Sequence, residues 1–343
     1  MIVHQHNSIA ITDRSSIGEA RRISSRMAEL ARIKTAERGR VPLIVTELAT
    51  NLLLHAQGGE LLIRMLPAEA GPGIETIALD RGPGLANLQQ SMIDGISGGG
   101  TRGCGLGAVR RLSTEFEIHS TQPAGTVVVS RVRSLEGNSH AQSEFSAICV
   151  PAPGENECGD AWHLRQQGNR LSAVVVDGLG HGPLAAIASA HAVQAFNEGS
   201  FDSPGSYLEA AHRALRSSRG AAVAIAQVDI ELSRLRYAGV GNIGGSIVNS
   251  AGKSRSLLSH NGIIGVEARK LQQFDYPWQD GDLLIMHSDG LSTRWKWNDY
   301  PGLAQADTAV IAAVLYRDAR RGRDDATILV VRLKAAANWI AHE

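Results

Sequence analysis

Residues 174–186 read Val-Val-Val-Asp-Gly-Leu-Gly-His-Gly-Pro-Leu-Ala-Ala. A β-branched apolar run stops at Asp177, turns through Gly178, Gly180 and Gly182, and enters a stretch of small residues behind Pro183. The run predicts a buried strand and the small-residue stretch a helix with proline in its first turn. The glycines supply the backbone freedom that a sharp strand-to-helix turn needs. Asp177 is therefore placed at the mouth of a strand.

Other carboxylates hold the same position relative to apolar runs. Gly159-Asp160 precedes a strand-like stretch, Asp289-Gly290 ends DLLIMHS (282–288), and Asp324-Asp325 precedes ATILVVRL (326–333). Each alone reads equally well as a turn; the set carries the reading. Hard oxygen donors at loop–strand junctions suit Mg2+ or Mn2+ rather than zinc. A pair of such ions can activate a bridging water for in-line attack on phosphorus.

The first 130 residues hold a different constellation. Glu47 and Asn51, four apart in VPLIVTELATNLLLHA (41–56), fall on one face of a predicted helix with Pro42 in its first turn. A carboxylate and an amide so placed can serve as general base and metal ligand. Two polar residues on a solvated helix face is the plain alternative, which apolar Leu48, Leu52, Leu53 and Leu54 make harder to arrange. Asp80-Arg-Gly82-Pro-Gly84 follows the apolar run ETIAL, so a strand-ending carboxylate could accept from an exocyclic amine while glycines let backbone approach a flat ligand. The plain alternative is an ordinary turn. Gly103-Cys-Gly105-Leu-Gly107 opens a predicted helix and presents N–H donors suited to phosphate. It is neither a Walker A motif, since no Lys-Ser/Thr follows, nor a dinucleotide fingerprint, since no strand precedes it.

The chain has 343 residues, twice an ordinary domain, with 43% apolar but only 4% aromatic residues. Two cores built from Ala, Val, Ile and Leu are expected. Lys+Arg and Asp+Glu are both 34, so the charge balance gives no reason to expect nucleic acid or an anionic membrane as partner. Cys104, Cys149 and Cys158 form no metal spacing and no disulfide framework, which fits a reducing cytosol. No stretch approaches the ~18 apolar residues of a membrane span, and a cytoplasmic location is expected. The helical period predicts a first helix from a cap at Asp13 or Ser15 to about Arg38. SLEGNSHAQSE (134–144) is polar and aperiodic. Domains are expected at 1–134 and 145–335, joined by a linker over 135–144.

Taken jointly and in order, ELATNLLLHAQGGE, DRGPGLANLQQSMIDGIS and GLGAVRRLSTEFEI resemble the GHKL ATPase/kinase superfamily over about 10–133. Within it, the resemblance is to RsbT-like anti-sigma-factor serine/threonine kinases. This implies a Bergerat α/β sandwich that binds ATP. Glu47 would be the general base and Asn51 the Mg2+ ligand bridging the phosphates. Asp80 would read the adenine amino group above Gly82 and Gly84. Gly103, Gly105 and Gly107 would line the phosphates, Thr126 would complete the adenine pocket, and 94–102 would form the lid.

VVVDGLGHGPLAA, SDG and RDDAT together resemble the SpoIIE/RsbX branch of the PPM protein phosphatases over about 145–333. This implies an αββα sandwich holding Mg2+ or Mn2+. Asp177 would bridge two metals, the Gly178 carbonyl would complete one, Asp160 would hold the second, and Asp289 and Asp324 the first. Asp325 is an extra ligand candidate, and the resemblance leaves open which of that pair coordinates. His181 would shape the loop. Where many of this branch carry two aspartates in a GGDWYD-like motif, this chain has ECGDAWHL with Asp160 alone, as in the shorter RsbX-like group.

The expected fold class is thus α/β of the α+β kind, in two sandwiches. The expected function is a bifunctional regulator of a partner-switching pathway, controlling a sigma factor or stressosome. It would phosphorylate Ser or Thr of a STAS-domain antagonist and dephosphorylate the same or a related protein. The competing expectation is a nucleotide-binding module that captures a partner and controls the attached phosphatase without phosphotransfer.

Overall fold

The computed structural model describes residues 5–66, 71–92, 105–134, 143–268 and 271–333. The chain divides into two compact units, Met1–His140 and Ala141–Glu343. Among the described residues, no helix is long and apolar enough to cross a membrane.

The first unit runs β1 (Asn7–Ile11), α1 (Arg14–Leu30), α2 (Thr35–Arg38), α3 (Arg40–His55), β2 (Gly59–Leu66), β3 (Gly73–Leu79), the turn-length α4 (Leu88–Ser91), α5 (Gly105–Leu112), β4 (Glu115–Thr121) and β5 (Gly125–Arg133). Asp13 caps α1, its carboxylate accepting from Ser15 N–H (2.7 Å) and Ser16 N–H (3.0 Å). The single helix expected to about Arg38 is instead two. Arg32 takes a left-handed conformation (φ 55), which stops α1 and lets Ile33 turn into the core.

The strands form one antiparallel sheet in the order β1-β2-β3-β5-β4. One face sends Ile9, Ile11, Leu61, Ile63, Ile74, Ala78, Val128 and Val132 against Ala20, Met27, Ile44, Val45, Leu48 and Leu52 of α1 and α3. The strand alternation sends Arg64, Glu75 and Arg131 to the other face. There Arg64 Nε and Arg131 Nε stand 2.6 and 2.7 Å from the two Glu75 oxygens, and Arg131 reaches on to Glu115 (2.8 Å). Burial works against the Glu75 carboxylate, but Arg64, Arg131 and His6 outweigh it and hold it well below the usual range.

Glu75→Ala leaves two buried guanidinium groups without their shared counter-charge and is expected to cost about 3–5 kcal/mol, read from the far-UV circular dichroism transition in urea. A depressed folded pKa means that this stabilisation is complete above the ordinary value of 4.5 and is lost as pH falls through the lower folded value. The wild type should therefore weaken on acidification in that range, and the variant should lack that component.

The second unit comprises β6 (Ser143–Val150), β7 (Asp160–Gln167), β8 (Arg170–Gly178), α6 (Pro183–Glu198), α7 (Pro204–Ala214), β9 (Ala221–Asp229), β10 (Arg234–Val240), β11 (Gly244–Val248), β12 (Ser254–Ser256), β13 (Phe274–Pro277), β14 (Leu283–His287), α8 (Thr308–Ala319) and β15 (Ala326–Leu333). Two antiparallel five-stranded sheets, β13-β10-β9-β8-β7 and β12-β11-β14-β15-β6, face each other. Trp162, Leu171, Val175, Ala226, Tyr237, Met286, Leu329 and Val331 fill the space between them. Val174, Val176, Val223 and Ile225, alternating with that set, bury instead against Phe196 of α6 and Tyr207 and Leu208 of α7. Helix α8 lies against β6 and β15.

The architecture is α/β of the α+β kind: an α/β sandwich followed by an αββα sandwich. Strand β6 begins at Ser143, and Glu144 binds Arg332 (3.2 Å) and the Thr308 N–H (2.9 Å). The last two positions of the expected linker thus belong to a strand, and 135–142 lie outside the described residues.

Candidate functional sites

In the first unit, Glu47 and Asn51 occupy successive turns of α3 and are half-buried. Leu48 and Leu52 are buried, whereas Leu54 is 52% exposed, so the polar pair sits at the border of the core rather than within it. Helix α5 begins against Asn51: a Cβ placed on Gly105 would stand 3.0 Å from Asn51 Oδ1. The amide is thereby held beside the first turn of a helix, where N–H groups favour anions. Gly107 is buried in the next positions of α5. Gly103 and the expected lid over 94–102 lie outside the described residues.

Asp80 follows β3, and its Oδ1 accepts from the N–H groups of Gly82 (2.8 Å) and Thr126 (3.0 Å). The Asp80 N–H returns a bond to Thr126 O (3.0 Å). These bonds aim the carboxylate and join the end of β3 to the start of β5. A Cβ on Gly82 would come 2.9 Å from Ala56 Cα, and one on Gly84 (φ 72) 2.8 Å from Thr121 O. Two residues escaped sequence reasoning. Ser120 Oγ pairs with Thr126 Oγ1 (2.9 Å) and accepts from Leu85 N–H (2.8 Å). Gly125 (φ 96) has no room for a Cβ against the Asp80 carbonyl. A glycine before a strand is too common a signal to have marked it. Glycine-lined backbone beside a fixed carboxylate fits a purine, and Asn51 beside a helix start fits a metal–phosphate group.

In the second unit, Asp160 is the first residue of β7 and lies directly opposite Asp177 at the end of β8. Ser288 Oγ donates to Asp160 Oδ2 (2.6 Å) and accepts from Thr327 N–H (3.0 Å). Burial, then the neighbouring Asp177 charge, pushes Asp160 well above the usual carboxylate range. Asp177 is pushed up to about 7 by burial, with Asp289, Asp324 and Asp325 adding to it in that order. Five carboxylates therefore share one electrostatic field.

Asn242 Nδ2 donates to Asp289 Oδ2 (2.7 Å), and Asp325 N–H donates to Asp324 Oδ1 (2.9 Å). Asp325 is buried; its Oδ1 accepts from Ala152 N–H (2.8 Å), while Oδ2 is buried without a well-formed hydrogen bond. Burial raises Asp325 although the Ala152 and Gly159 N–H groups and the Cys158 thiol oppose the rise.

Backbone packing fixes the loop that carries Asp177. Gly178 N–H donates to Gly159 O (3.1 Å), and a Cβ on Gly178 would collide with the Ala185 carbonyl. His181 pairs with Glu155 (2.7 Å), so it shapes the loop. Trp297 is buried and Trp295 packs edge-on against His287 (5.0 Å). Asn242 and Glu155 were not found from sequence, being single polar residues with no repeating pattern around them; Ser288 stood in the SDG motif, but its bond to Asp160 was not foreseen. Among the described residues, no group of three or more His, Cys, Asp or Glu side chains is arranged to hold a metal ion as it stands. The donor set still fits divalent cations, since hard oxygens raise one another's pKa and one buried oxygen lacks a good donor.

Gly290 has no room for a side chain: a Cβ there would collide with the Asp325 carbonyl. Gly290→Ala is expected to push Asp289 and Asp325 apart and lower Mn2+ affinity at least about tenfold, measured by titration calorimetry, a loss of ~1.4 kcal/mol.

Sequence comparison agrees with this division. The family described as Stage II sporulation protein E (SpoIIE) matches residues 167–334, and the histidine kinase-like ATPase domain matches residues 11–132. The serine/threonine-protein kinase RsbT of Bacillus subtilis (strain 168) is 30% identical over 126 residues, covering 37% of this chain and 95% of RsbT. The phosphoserine phosphatase RsbX of the same organism is 27% identical over 158 residues, covering 46% of this chain and 78% of RsbX. A solved chain described under the bacterial stressosome, a modular system adapted to control secondary messenger signalling, is 28% identical with a TM-score of 0.52, covering 55% of this chain and 99% of that one. The chain therefore belongs to the RsbT family through its histidine kinase-like ATPase domain, fused in one polypeptide to an RsbX/SpoIIE-like domain of the PPM fold.

Proposed function

We propose that the chain is a bifunctional regulator that phosphorylates Ser or Thr of a STAS-domain antagonist protein with ATP and removes phosphate from the same or a related phosphoprotein. The carrying observation is that one chain holds both a glycine-lined Asp80–Thr126 and Asn51–Gly105 surface and five carboxylates at and around Asp177. The names of the relatives, a serine/threonine kinase and a phosphoserine phosphatase, support the two reaction types. The stressosome likeness supports a partner-switching setting, for which we place the protein in the cytoplasm.

In the first unit, Glu47 takes the proton from the substrate hydroxyl. Asn51 would hold Mg2+ beside the phosphates of ATP, and the N–H groups of Gly105 and Gly107, with Gly103 before them in the sequence, would bind those phosphates. Asp80 would accept from the adenine amino group, Gly82 and Gly84 would lie under the base, and Thr126, beside Ser120, would close the pocket.

In the second unit, Asp160, Asp177, the Gly178 carbonyl, Asp289 and Asp324 would hold Mg2+ or Mn2+, which would supply Lewis acidity and an acidic water when bound. Asp325 is an additional ligand candidate, tethered by Ala152. Ser288 fixes the orientation of Asp160, and Asn242 that of Asp289.

Incubation with ATP, Mg2+ and a small STAS-domain protein should give transfer of one phosphoryl group, seen by intact mass. Nucleotide binding without transfer, together with a nucleotide-dependent phosphatase rate, would instead make the first unit a capture module.

A further inference from the structure

Neither Cys149 nor Cys158 is a metal ligand or a reacting group in the chemistry above, although the Cys158 thiol acts on Asp325. Cys149 lies on β6 and Cys158 precedes β7; both are buried and neither is in a disulfide. Their Sγ atoms stand 3.4 Å apart, and Cys149 Sγ lies 3.8 Å from the Asp160 carbonyl oxygen. A disulfide requires side chains that converge and an S–S distance of ~2.05 Å, so about 1.4 Å of closure separates this pair from a bond.

The segment between the two sulfurs touches the carboxylate cluster at several points. Ala152 N–H holds Asp325, and Glu155 holds His181 and fills the space beside Gly182. Gly159, next after Cys158, sits so close that a Cβ would be 2.6 Å from Asp325 Oδ2. Little slack exists to absorb a movement of Cys158 toward β6.

We propose that Cys149 and Cys158 are a modification site: hydrogen peroxide converts them to a reversible intramolecular disulfide, and the bond displaces the 150–160 segment from its contacts with the carboxylate cluster. The first thiol sulfur attacks peroxide, forming an S–O bond as the O–O bond breaks; its proton leaves with the displaced oxygen as water, giving a sulfenic acid. The second sulfur then attacks the first, forming the S–S bond as the S–O bond breaks. The departing hydroxide takes the second thiol proton as another water. Two electrons pass from the sulfur pair to one peroxide, and a dithiol reverses the change. The displacement is read through phosphatase activity and so rests on the phosphatase reading; the disulfide does not.

The test treats the full chain with hydrogen peroxide, removes the oxidant, counts thiols after denaturation and maps peptides without reduction. Two of the three cysteines should disappear, a cross-linked peptide should join Cys149 to Cys158, and dithiothreitol should restore both. Mn2+-dependent hydrolysis of a phosphoseryl protein should fall several-fold on oxidation, recover on reduction, and be indifferent to peroxide in Cys149→Ser. Retention of three thiols, or a cross-link through Cys104, overturns the proposal without any variant. A disulfide that leaves hydrolysis unchanged overturns the displacement. If the reduced chain hydrolyses nothing, the phosphatase reading fails, and the thiol count still decides the disulfide.

Discussion

Asp177→Asn is expected to lower Mn2+-dependent release of phosphate from a phosphoserine protein by roughly 100-fold or more, the scale of a several-kcal/mol loss of metal-assisted catalysis. Asp177 faces Asp160 across the β7–β8 ladder and feels Asp289, Asp324 and Asp325 from the other side. On the proposed reading it is the carboxylate shared between two cations. An amide keeps the shape but not the charge. The same substitution should leave the metal-free fold intact or stabilise it. With the folded pKa raised from 3.8 to about 7, Asp177 contributes stability that is complete below 3.8 and lost as pH rises through about 7. Melting in chelator at neutral pH should therefore be no lower for Asp177→Asn than for wild type, and the variant should lose less stability between those two pH values. Retention of more than about a tenth of the activity would remove Asp177 from the bridging position.

Glu47→Ala is expected to slow phosphoryl transfer by about 10²–10⁴-fold, the usual contribution of a positioned general base, while ATP affinity stays within about threefold of wild type. Glu47 lies one turn before Asn51 on α3, and on the proposed reading it meets the substrate hydroxyl while Asp80 and Thr126 meet the base. Asn51→Asp should behave differently. It sets a second negative charge where the phosphates and α5 meet, so ATP·Mg2+ binding itself should weaken. A calorimetric titration beside a single-turnover transfer assay separates the two effects. Equal loss of binding in both variants would place Glu47 in the nucleotide pocket rather than at the hydroxyl.

Much of this arrangement is legible in the sequence. The strand-turn-helix over 174–186 forms as its composition requires, because valines, glycines and Pro183 all favour the same local path. The helix at 41–56 and the apolar run ETIAL, which lies in β3, were equally readable from period and punctuation. The helix break at Arg32 was not, since apolar spacing continues across it and an arginine at φ 55 carries no compositional mark. Strand β1 was missed because five residues with only two buried positions give too short a pattern. The edge strands β12 and β13 are polar and short, and their pairing comes from neighbours far along the chain.

The candidate sites divide in the same way. Asp160, Asp177, Asp289, Asp324 and Asp325 were visible as carboxylates flanking strands, but the facing of Asp160 and Asp177 is a register fact no local pattern contains. Asn242 and Ser288 orient two of these carboxylates from separate elements, and the Cys149–Cys158 approach likewise depends on how β6 meets the segment before β7.

The most direct test follows one STAS-domain protein through both reactions on the full-length chain. Wild type with ATP, Mg2+ and Mn2+ should reach a steady phosphorylated fraction that decays once ATP is exhausted. Asp177→Asn should drive the fraction toward completion and hold it there, and Glu47→Ala should never raise it. A substrate that gains no phosphate from either wild type or Asp177→Asn, or that gains it and keeps it equally in both, would contradict opposing kinase and phosphatase activities on one partner.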